Sequence, residues 1–186
     1  MRLLCRKGFE ILGGTQERAA MSRIGIYAGS FDPPTLGHLW MIRQGAELFD
    51  ELVVALAVNP QKTPFLSTEE RRAALQELVA DMPGGSRVRV ETVSHGFLVD
   101  FAKETGATCL LRGVRNSTDF EYEKTLARMN ARMEPAIRTV FLMPPGELEE
   151  ISSTLVRGFV GVPGWERWVA ACVPPAVFAR IAHLYK

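Results

Sequence analysis

The sequence predicts a single doubly wound α/β domain with a five-stranded parallel sheet. Apolar segments of strand length alternate along the chain with segments of helical pattern. Residues 51–58 (ELVVALAV) form a near-continuous apolar run, which is typical of a parallel strand buried on both faces. A chain of 186 residues, 47% hydrophobic and 23% charged, suits one such domain with a sizeable core and is short for two.

Each predicted strand is followed by a predicted helix. The strands are expected at residues 23–26, 51–58, 87–93, 108–112 and 138–143. The helices are expected at residues 37–49, 68–80, 97–105, 117–133, 152–160 and 174–185. Ser67 and Glu70 predict a capping box that opens the second helix, and Gly106 predicts the end of the third.

Composition excludes several classes of protein. The net charge is +1, from 22 basic and 21 acidic side chains, so we expect no nucleic-acid partner and no anionic membrane partner. No apolar run approaches the roughly 20 residues that span a bilayer. The three cysteines and three histidines are scattered, at Cys5, Cys109, Cys172, His38, His95 and His183. This spacing predicts a reducing, cytoplasmic location and no metal held by protein side chains.

Residues 1–20 are expected to lie outside the folded domain, which we place at residues 21–186. The segment has a basic start, but Lys7, Glu10 and the glycines at 13 and 14 interrupt its apolar pieces, so it is a poor signal peptide. We interpret it as a mobile N-terminal extension or as a misassigned start.

Residues 27–38 (YAGSFDPPTLGH) follow the first strand and lead into the first helix. Gly29 is expected to allow a sharp turn, Ser30 offers a hydroxyl, and Gly37 allows close backbone approach where His38 enters the helix. The segment therefore predicts a phosphate site at a strand-to-helix turn. The same composition also fits an ordinary turn with a histidine near a helix cap.

Further polar residues follow the other strands, and the carboxyl ends of parallel strands meet at one edge of the sheet. They are Lys62 after the second strand, residues 94–98 after the third, Arg112 and Arg115 after the fourth, and Ser152, Ser153 and Thr154 after the fifth. Taken singly, each has a structural alternative: Lys62 as a solvated lysine, the arginines in ion pairs with the next helix, and the hydroxyls as helix caps. Together they predict a site for a polyanion.

The motif Thr35-Leu36-Gly37-His38, preceded by residues 29–33 (GSFDP), resembles the signature of the nucleotidyltransferase superfamily. Residues 112–123 (RGVRNSTDFEYE) resemble the signature of bacterial phosphopantetheine adenylyltransferases. So do the segments NPQK at 59–62, FLMP at 141–144 and ISSTLV at 151–156, and the similarity extends over residues 24–185.

This resemblance implies a Rossmann-like fold and a reversible reaction in coenzyme A biosynthesis. AMP is transferred from ATP to 4′-phosphopantetheine, which gives dephospho-coenzyme A and pyrophosphate. The resemblance also implies Mg²⁺ bound with ATP, a cytoplasmic location and a homohexamer. Direct transfer between phosphates requires charge neutralisation and alignment and no covalent intermediate.

The resemblance also assigns roles to individual residues. His38 is expected to stabilise the transition state at the α-phosphate, and Leu98 to line the pantetheine arm. The phosphate of phosphopantetheine is assigned to Ser30, Lys62 and Arg112. ATP is assigned to Ser30, Phe31, His38, Gly113, Val114, Arg115, Glu123, Leu148, Glu149, Glu150, Ile151, Ser152, Ser153 and Thr154.

Two acidic residues depart from the family pattern near the expected ATP loop. Glu149 and Glu150 stand where a serine and an aromatic residue are usual, so we expect their negative charge to weaken ATP binding. Ser30 stands where threonine is usual and keeps the hydroxyl.

Other functional classes fit the sequence less well. Nicotinate mononucleotide adenylyltransferases and cytidylyltransferases share the first motif, but not the block at 112–123. Class I aminoacyl-tRNA synthetases need a tRNA-binding domain, and a serine hydrolase needs a G-x-S-x-G elbow, which does not surround Ser30. A non-catalytic nucleotide sensor is the alternative from a different class, and the presence of His38, Lys62, Arg112 and Arg115 together argues against it.

Overall fold

A computed structural model describes residues 22–59, 61–94 and 96–185. Its centre is one five-stranded, all-parallel sheet with the strand order β3-β2-β1-β4-β5. The strands are β1 (Ile24–Gly29), β2 (Glu51–Ala57), β3 (Val88–Val93), β4 (Cys109–Gly113) and β5 (Arg138–Leu142). The helices are α1 (Leu36–Leu48), α2 (Thr68–Ala80), α3 (Leu98–Glu104), α4 (Ser117–Met133), α5 (Ser153–Phe159), α6 (Glu166–Ala170) and α7 (Pro175–Leu184). The predicted fold class is confirmed.

The strand order reverses direction between β1 and β4. The chain runs outward from β1 through β2 to β3, and then returns across the sheet to place β4 on the other side of β1, where Tyr27 pairs with Leu111. Such a reversal leaves a crevice outside the carboxyl ends of the two central strands, where open α/β sheets bind ligands.

The sheet is buried on both faces, as the apolar run at 51–58 predicts. Leu52, Val54 and Leu111 pack with α1 and α2 on one face, while Val53 and Leu110 pack with α3 on the other. A separate apolar cluster joins α2, α5, α6 and α7, with members Leu66, Ala74, Leu78, Val156, Trp165, Val169, Cys172, Val173, Val177 and Ile181. This second cluster fixes the C-terminal helices beside the crevice.

The turn after β1 differs from the sequence prediction. β1 continues to Gly29 instead of ending at residue 26, so Gly29 is a strand residue and not the turning point. The left-handed backbone lies at Phe31, whose φ is 46°. A Cβ at Gly29 would lie 3.2 Å from the ring of Phe31, so a glycine is favoured there by close packing.

The helix α6 was not predicted, because five residues are too short to show a helical period.

The interpretation of residues 1–20, and a domain start at 21, lie outside the described residues. Within the described part of the chain, no helix has both the length and the apolar character to cross a membrane.

Candidate active site

A cavity of about 380 Å³ opens at the carboxyl ends of β1 and β4. The start of α1, the start of α4 and the segment before α5 form its other walls. Of the residues assigned to ATP by resemblance, it gathers His38, Gly113, Arg115, Glu123, Leu148, Ile151, Ser152 and Ser153. The ends of β1 and β4 and the segment that follows β5 thus contribute side chains or backbone to one concave surface.

Arg112 connects this nucleotide-sized cavity to its neighbours. A second cavity of about 440 Å³ is lined by Arg112, Leu98 and Asn59, and a third of about 170 Å³ is lined by Arg112, Leu98 and Glu123. Arg112 lines all three, so this residue lies at the junction of the three cavities.

Ser30 and Lys62 lie in a further cavity of about 770 Å³, apart from Arg112. This cavity shares Ala57, Val58 and Asn59 with the second one, so the two adjoin. The structure therefore brings the three residues assigned to the acceptor phosphate to adjoining cavities and does not place them in a single one.

Six of the residues assigned to ATP do not line the nucleotide-sized cavity, and one of them is Ser30, which lies in the cavity of Lys62. Phe31 and Val114 are buried, and Glu149, Glu150 and Thr154 are exposed. The Phe31 ring instead packs edge-on against the His38 ring, with centroids 5.0 Å apart, so it supports the imidazole from the core side.

His38 is fixed by a capping box at the start of α1. Thr35 is the N-cap, its hydroxyl accepts the backbone N–H of His38, and its own backbone N–H donates to Nδ1 of His38 at 3.0 Å. The imidazole thus accepts the N-cap backbone N–H in place of the glutamate carboxylate that is usual in such a box. Because Nδ1 accepts, the proton of the neutral ring resides on Nε2.

The pKa of His38 is lowered from 6.5 to about 4, first by burial and second by the positive charge of Arg115. The ring is therefore neutral near pH 7. With Nδ1 occupied and Nε2 protonated, it can donate one hydrogen bond to an oxyanion and has no free lone pair to act as a base.

Arg112 forms a forked ion pair with Glu123 of α4. Its Nη2 lies 2.5 Å from Oε1 and its Nε 2.7 Å from Oε2, while Nη1 donates to the Ala28 carbonyl at 3.1 Å. Burial alone would lower the pKa of Arg112, but Glu123 raises it above its usual value. Arg115 likewise pairs with Asp119, with Nε 2.8 Å from Oδ2. The ion pairs considered as an alternative do form, and they hold both guanidinium groups at the cavity wall.

Several contacts that sequence reasoning missed hold the turn between β1 and α1. The Asp32 carboxylate accepts the backbone N–H groups of Phe65 and Leu66, each at 2.8 Å. Arg157 donates to the Asp32 carbonyl, and the Ser153 hydroxyl donates to the Pro33 carbonyl at 2.8 Å. The peptide bond between Asp32 and Pro33 is cis.

Thr35 is the positioning residue that the sequence could have revealed. A threonine three residues before a histidine at a helix start is a capping pattern once histidine is allowed as the third member. Tyr27, Asp119 and Tyr122 also line the nucleotide-sized cavity. They lie within the motifs at 27–38 and 112–123, but the resemblance assigned them no contact with a substrate.

The lowered pKa of His38 predicts a pH dependence of stability. Between about pH 4 and 6.5 the unfolded chain binds a proton at this histidine that the folded chain does not, so acidification through this range favours unfolding. We expect the free energy of unfolding to fall by about 1 to 3 kcal/mol from this source as pH falls from 6.5 to 4. Denaturant titrations of the wild type and of the His38→Gln variant measure it. The two curves should converge towards pH 4, and parallel curves would contradict the shifted pKa.

The placement of Glu149 and Glu150 predicts a small effect on ATP. Both side chains are exposed and outside the cavity, so water and salt screen their charges. We expect the Glu149→Gln/Glu150→Gln double variant to tighten ATP binding by less than about threefold at physiological salt. Calorimetric titration with ATP at low and at physiological salt checks this. A tenfold gain at physiological salt would mean that the carboxylates lie at the triphosphate.

Comparison with known proteins identifies the family. A family model described as cytidylyltransferase-like matches residues 26–159. The chain is 46% identical over 160 residues to the phosphopantetheine adenylyltransferase of Chromobacterium violaceum, covering 86% of this chain and 96% of that protein. The chain belongs to the phosphopantetheine adenylyltransferase family. The family member of Caldanaerobacter subterraneus is 38% identical over 164 residues, with 88% and 98% coverage.

Solved structures agree on the fold. The nicotinic acid mononucleotide adenylyltransferase of Plasmodium falciparum, complexed with NaAD, superposes with a TM-score of 0.68 at 15% identity, covering 88% of this chain and 96% of that one. A likeness at this level of identity shows the nucleotidyltransferase fold and does not decide the acceptor.

Proposed function

We propose that this chain transfers the AMP moiety of ATP to 4′-phosphopantetheine, forming dephospho-coenzyme A and pyrophosphate. The observation that carries the proposal is the place of Arg112, which joins the cavity containing His38 to the partly apolar cavities containing Leu98. A donor and an acceptor in these two places have their phosphates at one junction. The family match gives the chemical identity of the two molecules.

The reaction needs little proton transfer from the protein. A phosphate monoester has its second pKa near 6, so the attacking oxygen of the acceptor is mostly deprotonated at pH 7. That oxygen attacks the α-phosphorus of ATP, a new P–O bond forms, and the bond to the β-phosphate oxygen breaks as pyrophosphate leaves. A neutral His38 suits this step, since Nε2–H stabilises charge on the α-phosphate oxygens and no base is required.

The residues around the cavity divide the other tasks. In this proposal Arg115, Ser152 and Ser153 bind the triphosphate, while Arg112 neutralises the acceptor phosphate. Leu98 gives the pantetheine arm an apolar wall. Lys62 adds positive charge and Ser30 a hydroxyl donor on the far side of the acceptor phosphate. Electrostatic neutralisation and alignment are the main contributions that such a site makes to phosphoryl-group transfer.

Mg²⁺ enters the proposal with ATP. Among the described residues no three histidine, cysteine, aspartate or glutamate side chains cluster as a metal site, and the carboxylates of Asp119 and Glu123 pair with arginines. The donor set thus fits an ion held by triphosphate oxygens and water, which is the usual mode for this metal. When bound, Mg²⁺ supplies neutralising charge on the departing pyrophosphate.

We include a homohexamer and a cytoplasmic location in the proposal. Helix α4 has no buried residue, and Tyr122, Met129 and Met133 lie exposed along one side of it at helical spacing. An apolar stripe of this kind favours contact with another copy of the chain. Free thiols at Cys109 and Cys172 are compatible with a reducing compartment.

The reverse reaction tests the proposed function with a sensitive readout. Purified protein is incubated with dephospho-coenzyme A, pyrophosphate and Mg²⁺, and ATP is measured by luciferase light. We expect ATP to form only when both substrates are present, and the Arg115→Ala variant to form far less because its triphosphate contact is lost. No ATP from the wild type, under conditions where ATP itself binds, would contradict the proposal.

A further inference from the structure

Arg71 is a charged residue on the buried face of α2. The buried positions of that helix are Arg71, Ala74, Leu75, Leu78 and Val79, which is the period of a core-facing stripe. Arg71 is only 4% exposed and therefore occupies a position where an apolar residue is expected. Its side chain reaches the cavity that contains Ser30 and Lys62.

The guanidinium of Arg71 is fixed by three oxygen acceptors. Nε donates to the Ser67 carbonyl at 3.3 Å and Nη2 to the Thr68 hydroxyl at 3.1 Å, which ties the group to the start of its own helix. Nη1 donates across to the Ser30 carbonyl at 2.8 Å. This third bond connects α2 to the turn after β1, 41 residues away in the sequence.

The bond from Arg71 to the Ser30 carbonyl restrains the turn after β1 next to its left-handed residue. The next residue, Phe31, has a φ of 46°, a conformation that costs a bulky side chain about 1 kcal/mol or more. Holding the Ser30 carbonyl fixes the peptide plane that leads into this strained residue. The position of the Ser30 hydroxyl therefore depends on Arg71.

The charge of Arg71 has no carboxylate partner within the described part of the chain. All three of its acceptors are uncharged, and the nearby Asp32 carboxylate is occupied by the Phe65 and Leu66 N–H groups. The cavity it lines contains two other cations, Lys62 and Arg157. A buried charge without a counter-charge costs folding free energy, so its presence beside a cavity points to an anion supplied by a ligand.

We propose that Arg71 is a positioning residue for phosphate binding, which shapes the Ser30 turn through its bond to the Ser30 carbonyl and adds positive potential to the cavity of Ser30 and Lys62. The inference rests on the proposed function and adds to it a residue that the sequence motifs do not contain. Arg71 acts through Ser30 and its field, and it is not assigned a contact with the reacting atoms.

The test compares variants of Arg71 with an exposed neighbour on the same helix. Arg71→Ala removes the guanidinium, Arg71→Met keeps much of the volume, and Arg72→Ala is the matched control because Arg72 is exposed. We expect kcat/KM for 4′-phosphopantetheine to fall by about 30-fold or more in both Arg71 variants and by less than about twofold in the control. Most of the loss should appear in KM.

Chemical rescue separates positioning from mere packing. Guanidinium chloride at low millimolar concentration should restore the activity of Arg71→Ala by about tenfold, because the free cation can occupy the space left by the side chain. Urea at the same concentration has a similar shape and no charge, and should restore nothing. Thermal unfolding of each variant identifies losses that arise from a partly unfolded sample.

Each outcome either supports or overturns the positioning role of Arg71. Equal activity of the Arg71 and Arg72 variants would overturn it, and so would equal rescue by urea and guanidinium, or activity lost only in proportion to unfolded protein. If the wild type makes no dephospho-coenzyme A, the proposed function fails separately. Calorimetry with inorganic phosphate, the group that the acceptor carries, then decides alone: binding weakened about tenfold in Arg71→Met supports the role, and unchanged binding overturns it.

Discussion

The His38→Ala variant is expected to turn over at least about 10²-fold more slowly than the wild type, with ATP affinity changed by less than about threefold. The reason is that, in the proposed reaction, Nε2–H donates to an oxyanion whose charge grows only in the transition state. The imidazole is already held by Thr35 and Phe31 and is already neutral, so it needs no rearrangement to donate. Steady-state kinetics and calorimetry with ATP measure the two quantities.

Thr35→Val is the control for His38. It removes the hydroxyl but keeps the backbone N–H that donates to Nδ1, so we expect a loss of about tenfold or less. Near-normal turnover of His38→Ala would contradict the role given to the imidazole. A fall in ATP affinity as large as the fall in turnover would instead assign His38 to binding the ground state.

The Arg112→Ala variant is expected to raise KM for 4′-phosphopantetheine by about 30-fold or more, with a smaller effect on KM for ATP. Its guanidinium lies at the junction of the cavities, and its loss removes positive charge there. Initial rates at varied concentrations of each substrate measure the two constants. The variant also leaves the Glu123 carboxylate half-buried without its partner, so its stability should fall as well.

The Arg112→Ala/Glu123→Gln double variant separates the two effects of removing Arg112. The uncharged glutamine removes the stranded carboxylate, so the double variant should regain stability, while its KM for the acceptor stays high. An unchanged KM for the acceptor in Arg112→Ala would contradict its placement at the acceptor phosphate. Recovery of KM in the double variant would show that Glu123, and not the lost cation, caused the defect.

The arrangement of the sheet was predictable because its signals are local and repeated. The apolar run at 51–58 indicates a strand buried on both faces, and Leu52 to Leu56 are indeed fully buried. Ser67 and Glu70 form the predicted capping box at the start of α2. With parallel strands, the polar residues after each strand had to meet at one edge, and most of them line the cavities there.

What the sequence did not reveal depends on contacts between distant segments. β1 pairs with β2 as far as Gly29, so the chain turns only after this residue. The left-handed backbone of the turn therefore lies at Phe31. The buried Arg71 has a local signal, its place in the apolar period of α2, but its acceptor on Ser30 appears only in three dimensions. The sequence likewise offered ion pairs and substrate contacts as alternatives for Arg112, whereas the structure has the ion pair with Glu123 at the cavity junction.

One competition assay identifies the acceptor that this chain uses. Purified protein is incubated with ATP and Mg²⁺ together with equal amounts of 4′-phosphopantetheine and nicotinate mononucleotide, and the products are identified by mass spectrometry. We expect dephospho-coenzyme A and pyrophosphate in equal amounts, with nicotinate adenine dinucleotide formed poorly or not at all. If nicotinate adenine dinucleotide is the only product, the acceptor is nicotinate mononucleotide and the proposed function is wrong. If ATP binds and neither product forms, the chain is a nucleotide sensor and the proposed function is wrong as well.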